Sequence, residues 1–138
     1  MLAFLLFTLV LIHSPPTFDI DHRIKPYVNE VIKLSKGKLK GTSPVLVKNL
    51  KLNHLGYCYY GAIRHIEIDF KKFSQYTHKE KLAIIAHEMM HCEYTCGHNN
   101  RILKDDCHAS LMHKSTQIRD CYEKHWDRYV KEMQEVDC

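Results

Sequence analysis

Thr77-His78-Lys79-Glu80 fixes more of this chain's architecture than any other stretch. A threonine with a glutamate three residues on is a capping box, in which hydroxyl and carboxylate satisfy the first free amides of a helix. Leu82, Ile84, Ile85, Met89 and Met90 carry an apolar pattern on to about Tyr94, and Gly97 is the expected residue beyond the helix end. His87 and His91 therefore lie one turn apart on a single helix face, about 40° from each other around the axis. Glu88 follows the first of them directly.

The flanking patterns complete the outline. Residues 21–36 place Ile24, Tyr27, Val28, Val31, Ile32 and Leu34 at a helical period, with Pro26 in the first turn and Gly37 as the stop. Residues 44–52, 57–60 and 63–70 read as strands, the last two joined by a hairpin through Gly61 and Ala62. In 63–70, Ile66, Ile68 and Phe70 alternate with Glu67 and Asp69. Residues 98–114 have no period. Residues 116–135 predict one last helix whose stripe of Ile118, Tyr122, His125, Trp126, Tyr129, Val130 and Met133 packs the core. Helix, strands, helix, irregular loop and helix make an α+β domain. At 138 residues the chain has room for one such domain.

Residues 2–12 are an uncharged apolar run that ends at Pro15 and Pro16. Eleven helical residues rise about 16 Å, half a bilayer core, so the run fits a secretory signal or short apolar leader over 1–16. An uncleaved anchor and a buried segment are the alternatives. The domain then occupies 17–138, and export makes the protein secreted or periplasmic.

His87-Glu88-Met89-Met90-His91 is an H-E-x-x-H pattern, with a chance expectation of about 0.05 in a chain of this composition. Two imidazoles on one face can reach a single ion, and the intervening glutamate can touch water beside it. A catalytic zinc takes three protein ligands. His98, just beyond Gly97, is the first choice for the third, with Asp105, Asp106, His108 and His113 as rivals. One Zn2+ per chain on His87, His91 and His98 would activate water, with Glu88 as general base, for hydrolysis of peptide bonds. Tyr94 and His113 are candidates for a second electrophile.

The segments GYCYYGAIRHIEIDF, AHEMMHCEYTCGHNN, ASLMHKS and CYEKHWDRYVKEM resemble a family of small zinc metallopeptidases found in bacteria and tailed phages. Its pattern is H-E-x-x-H-C, a third His six residues after that Cys, and then Ser-x-Met-[His/Asn]. The resemblance covers about 80 residues. It implies a zincin or metzincin-like fold, with a twisted sheet over the active-site helix and Met112 in a Met-turn beneath the metal as an apolar floor. Metzincins place their third His where this chain has Gly97 and a Gly where it has Tyr94, so the loop here is one residue longer. Met90 stands where the small family has Gly. Proteins or peptides are the implied substrates, and a monomer is expected.

Six cysteines in an exported chain predict disulfides, first Cys96 with Cys107, clamping the loop of His98, and then Cys58 with Cys92. A closed structural zinc site on Cys92, Cys96, His98 and Cys107 is the competing use of the same residues. The other histidines (22, 54, 65, 78, 108, 113 and 125) read as solvated or packed. Residues 31–66 hold six Lys, one Arg and no acid. That basic face could meet a membrane surface or an anionic polymer, and an exported binding module with a vestigial zinc site is the alternative function. No nucleic-acid-binding pattern accompanies it.

Overall fold

The computed structural model describes residues 19–51, 53–115 and 119–138, so the expected leader, the strand end at Leu52 and residues 116–118 lie outside it. The sheet is built around β3 (His65–Ile68), with β1 (Val45–Val47) parallel on one side and β2 (Gly56–Tyr59) antiparallel on the other. Alternation places Ile66 and Ile68 in the core and leaves His65 and Glu67 half-buried on the opposite face. There Glu67 pairs with both Lys48 and His65. The expected strand does not continue through Phe70. Asp69 is instead the N-cap of a short helix α2 (Phe70–Phe73), its carboxylate accepting from the amides of Lys72 and Leu50. A buried acid that satisfies two backbone donors ends the ladder.

Helix α1 (Lys25–Leu34) carries Pro26 in its first turn and ends where Lys36 and Gly37 take φ of 52° and 75°. Helix α3 (His78–Tyr94) runs against α1 and β2. Both bonds of its capping box are formed, from Thr77 N–H to Glu80 at 2.6 Å and from Glu80 N–H to Thr77 Oγ1 at 3.4 Å. Its end differs from expectation. Thr95, not Gly97, takes the left-handed conformation, with φ of 58°. Arg64 donates to Thr95 Oγ1 and to the Cys92 carbonyl, which holds the turn at that point.

The last helix is divided into α4 (Arg119–Lys124) and α5 (Trp126–Glu135). At the break, His125 has φ of −115° and its Nε2 lies 2.8 Å from Asp105. Tyr129 and Met133 are nonetheless fully buried beside Val28, Leu82, Ile85 and Met89. Each such side chain contributes about 1.5–3 kcal/mol by leaving water.

All six cysteines are paired, as Cys58–Cys92, Cys96–Cys138 and Cys107–Cys121. The bond between β2 and α3 is as expected, but Cys96 does not join Cys107. The tail beyond α5, anchored by buried Val136, returns Cys138 to the end of α3, while Cys107 meets α4. Three disulfides point to an oxidising, extracellular-type environment. Among the described residues, no helix is long and apolar enough to cross a membrane.

Candidate metal centre

One helical turn separates His87 from His91, and the two rings project from the same face of α3. The irregular chain after Thr95 brings a third ring to them. His91 Nε2 lies 3.0 Å from His87 Nε2 and 3.2 Å from His98 Nε2. A tetrahedral zinc with ligand nitrogens about 2.0–2.1 Å away spaces them about 3.3 Å apart. The two separations from His91 are close to what one ion requires, the three residues' ligand atoms lie within 4.8 Å of one another, and this group could hold a metal.

The outer ring nitrogens settle which atoms are available. His87 Nδ1 lies 2.7 Å from the Leu111 carbonyl, and His91 Nδ1 lies 2.6 Å from the Cys96 carbonyl. A carbonyl only accepts, so each Nδ1 carries the proton and each Nε2 keeps its lone pair. Burial pushes the His87 imidazole down to about 4, its neighbouring histidines adding to the effect against the Leu111 carbonyl. Burial lowers His91 as well. Neutral rings whose lone pairs converge at this distance repel one another unless a cation lies among them. Their backbone acceptors match the outer shell that orients metal-bound histidine.

Glu88 lies on the β2 side of the same helix turn and is only 6% exposed. Burial pushes its carboxyl up to about 8, against a bond from the Cys58 amide. A Cβ on Gly56 would sit 2.8 Å from Glu88 Cγ, so the glycine makes the room this side chain occupies. The sequence reading missed Gly56, since nothing local marks a glycine as the neighbour of a residue 32 positions away.

These groups line a cleft of about 900 Å³. Its walls include residues 53–58, which lead into and begin β2, and Tyr60, Ile84, His113 and Lys114. Tyr60, also missed, donates to the His91 carbonyl at 3.0 Å, and burial raises its phenol. His113 lines the cleft and stacks on His108 with ring centroids 3.5 Å apart.

Other candidates lie elsewhere. Tyr94 donates to the Lys38 carbonyl at 2.6 Å and does not line the cleft, which removes it as a second electrophile. Asp105 is engaged by Lys124 and His125 at 2.5 and 2.8 Å, and Asp106 sits in a turn at φ of 63°. Asp105, Asp106 and His108 do not line the cleft and His113 does, but among the described residues it is His98 that converges with His87 and His91. Asp105, Cys107 and His125 also converge, but the Cys107 sulfur is bonded to Cys121. The four-ligand site on Cys92, Cys96, His98 and Cys107 fails for the same reason, because all three thiols are in disulfides.

Met112 is 3% exposed, packed in the core within the turn that supplies the Leu111 carbonyl. Its carbonyl accepts from Asn99 N–H at 2.9 Å, which joins this turn to the chain just after His98. The acid-free stretch 31–66 is partly answered from outside. Lys48 pairs with Glu67, and Glu93 accepts from the amides of Lys40, Gly41 and Thr42. No protein-family model, curated protein or solved structure matches this chain.

Proposed function

We propose that this chain is a zinc-dependent peptidase with a zincin-like, metzincin-related arrangement, acting on protein or peptide substrates outside the cytoplasm. The observation that carries this reading is the meeting of three Nε2 atoms whose helix-borne partners have both Nδ1 protons committed to carbonyls. His87, His91 and His98 would hold the ion. When bound, zinc supplies Lewis acidity, lowering the pKa of water and polarising a carbonyl.

The rest of the chemistry belongs to the chain. Glu88 takes a proton from the attacking water at its carboxylate and returns it to the departing amine. Its buried position favours the neutral acid when no charge is near, and a cation beside it favours the carboxylate. Gly56 leaves the space in which that carboxylate sits. Residues 53–58, at the start of β2, and the 113–115 segment form the walls between which an extended substrate would lie.

The test pairs metal content with hydrolysis. Elemental analysis of purified protein should give one zinc per chain, sharply reduced in His98→Ala. Hydrolysis of an unstructured protein such as casein should fall about 10²–10⁴-fold in Glu88→Gln while zinc is retained. Zinc with no Glu88-dependent hydrolysis would make the site structural; no zinc uptake would end the reading.

A further inference from the structure

Glu132, on α5, lies 45 positions from His87 along the chain, yet the two are joined by an unbroken line of hydrogen bonds. The Glu132 carboxylate accepts from the Ser110 hydroxyl through Oε1 and from Leu111 N–H through Oε2 at 2.8 Å. Ser110 Oγ in turn accepts from Met112 N–H at 3.0 Å. That N–H belongs to the peptide unit whose oxygen is the Leu111 carbonyl, which accepts from His87 Nδ1 at 2.7 Å. The order is carboxylate, hydroxyl, peptide, imidazole. Ser110 is 5% exposed and Met112 3%, so the middle of the line is shielded from water.

We infer that Ser110 and Glu132 are positioning residues for the metal centre, relaying the Glu132 charge through the 111–112 peptide to fix and polarise His87. The inference rests on the zinc-site reading above. Hydrogen bonds in series strengthen one another when each group is both donor and acceptor. A carboxylate at the far end makes the Ser110 oxygen a better acceptor, the Leu111 oxygen a better acceptor in turn, and His87 Nε2 a stronger ligand. The Leu111 N–H bond to the same carboxylate holds the turn still while this happens. Neighbouring bonds from α5, Arg128 to the Ala109 carbonyl at 2.9 Å and Tyr129 to the His108 carbonyl at 2.7 Å, fix the segment without entering the line. Among the described residues no such line reaches His91, whose Nδ1 partner is the Cys96 carbonyl just beyond the end of α3.

The test uses the full chain with Ser110→Ala, Glu132→Gln and both together, and Arg128→Ala as the neighbour outside the relay. Zinc affinity, read by competition with a chromophoric chelator, should weaken about tenfold in each single variant. The double variant should be no weaker than the worse single, because a series broken twice is still broken once. Arg128→Ala should match the wild type. In the metal-free protein, ring 15N shifts should show the single Nδ1–H tautomer at His87, with mixed tautomers in both relay variants. Glu132→Gln is isosteric and carries the test if Ser110→Ala does not fold.

Lower melting temperatures with unchanged zinc affinity and unchanged ring shifts would make these residues mere supports and overturn the relay. Additive losses in the double variant would also overturn it, as two independent contacts. If the wild type takes up no zinc, the peptidase reading falls, and the metal-free ring spectra alone decide whether the relay exists.

Discussion

The two histidines on α3 and the single histidine beyond it reach the same point by opposite routes. His87 and His91 are set by the pitch of a 17-residue helix whose start is capped and whose interior is buried. His98 lies in irregular chain, is exposed, and is held by what surrounds it: the Cys96–Cys138 bond on one side and the Asn99 amide on the Met112 carbonyl on the other. Local periodicity puts two candidate ligands on one helix face, and carbonyls from outside the helix only orient their rings. The third depends on the segment after α5 and on a distant turn. The centre should therefore be stiff on its helix side and adjustable on its loop side.

The sharpest way to break that comparison is to remove one ligand from each side. A zinc site worth about 10–16 kcal/mol over three protein ligands gives each roughly 3–5 kcal/mol, or about 10²–10⁴-fold in affinity. His91→Ala should sit at or beyond the upper end, since it removes a ring already in place. His98→Ala should sit at the lower end, because its exposed ring on irregular chain gives up more side-chain freedom when held by an ion. Zinc titration of both against the wild type checks this. Equal losses would mean that the loop is as well organised as the helix.

Cutting the loop's tether is the next largest change. Closing the 42-residue separation between Cys96 and Cys138 stabilises the fold by about 4 kcal/mol in the chain-entropy view, against about 3 for the 14 residues between Cys107 and Cys121. The Cys96→Ser/Cys138→Ser variant should lose stability of that order in denaturant melts. It should also weaken zinc binding, because the Cys96 carbonyl orients His91. The Cys107→Ser/Cys121→Ser variant should lose somewhat less stability and leave the metal affinity closer to wild type. A reversed order would place the tether that matters at α4.

The same division explains what could be read from the sequence. The spacing of His87, Glu88 and His91, the capping box, α1 and the β2–β3 hairpin are written in short windows: a period, a cap or a tight turn. The Cys58–Cys92 bond, across 34 residues, was legible only as a second pairing after Cys96–Cys107. His98 was legible only as the first of several rivals, and geometry separates it from Asp105, Asp106 and His108. The partner of Cys96 was not legible, since pairing across 42 residues follows the path of the tail and not any spacing. Thr95 in the left-handed conformation defeats the ordinary preference for glycine, and the two bonds from the Arg64 side chain at that point are tertiary. Gly56 and Glu132 carry no local mark at all; each is defined by a side chain or turn far away in sequence.

The smallest effects test the ends of the two routes. Thr77→Ala removes a neutral cap bond from α3 and should cost about 1 kcal/mol, with little dependence on pH. Asp105 anchors the loop side, where Lys124 first and His125 second hold its carboxyl far below the usual value of 3.8. A depressed carboxylate contributes stability that is present above its unfolded value and is lost as pH falls through the folded one. The unfolded chain takes up the proton near pH 3.8 while the native chain still refuses it, so the penalty accumulates below that point. Asp105→Asn should therefore flatten the acid limb of the stability profile below about pH 4. The loss at neutral pH should equal the amplitude removed from the acid limb, and both should be small because the pair is solvent-exposed and screened. Melting curves from pH 2 to 7 for the two variants make the comparison. If Thr77→Ala changed the acid limb and Asp105→Asn did not, the acid-sensitive anchor would lie on the helix side.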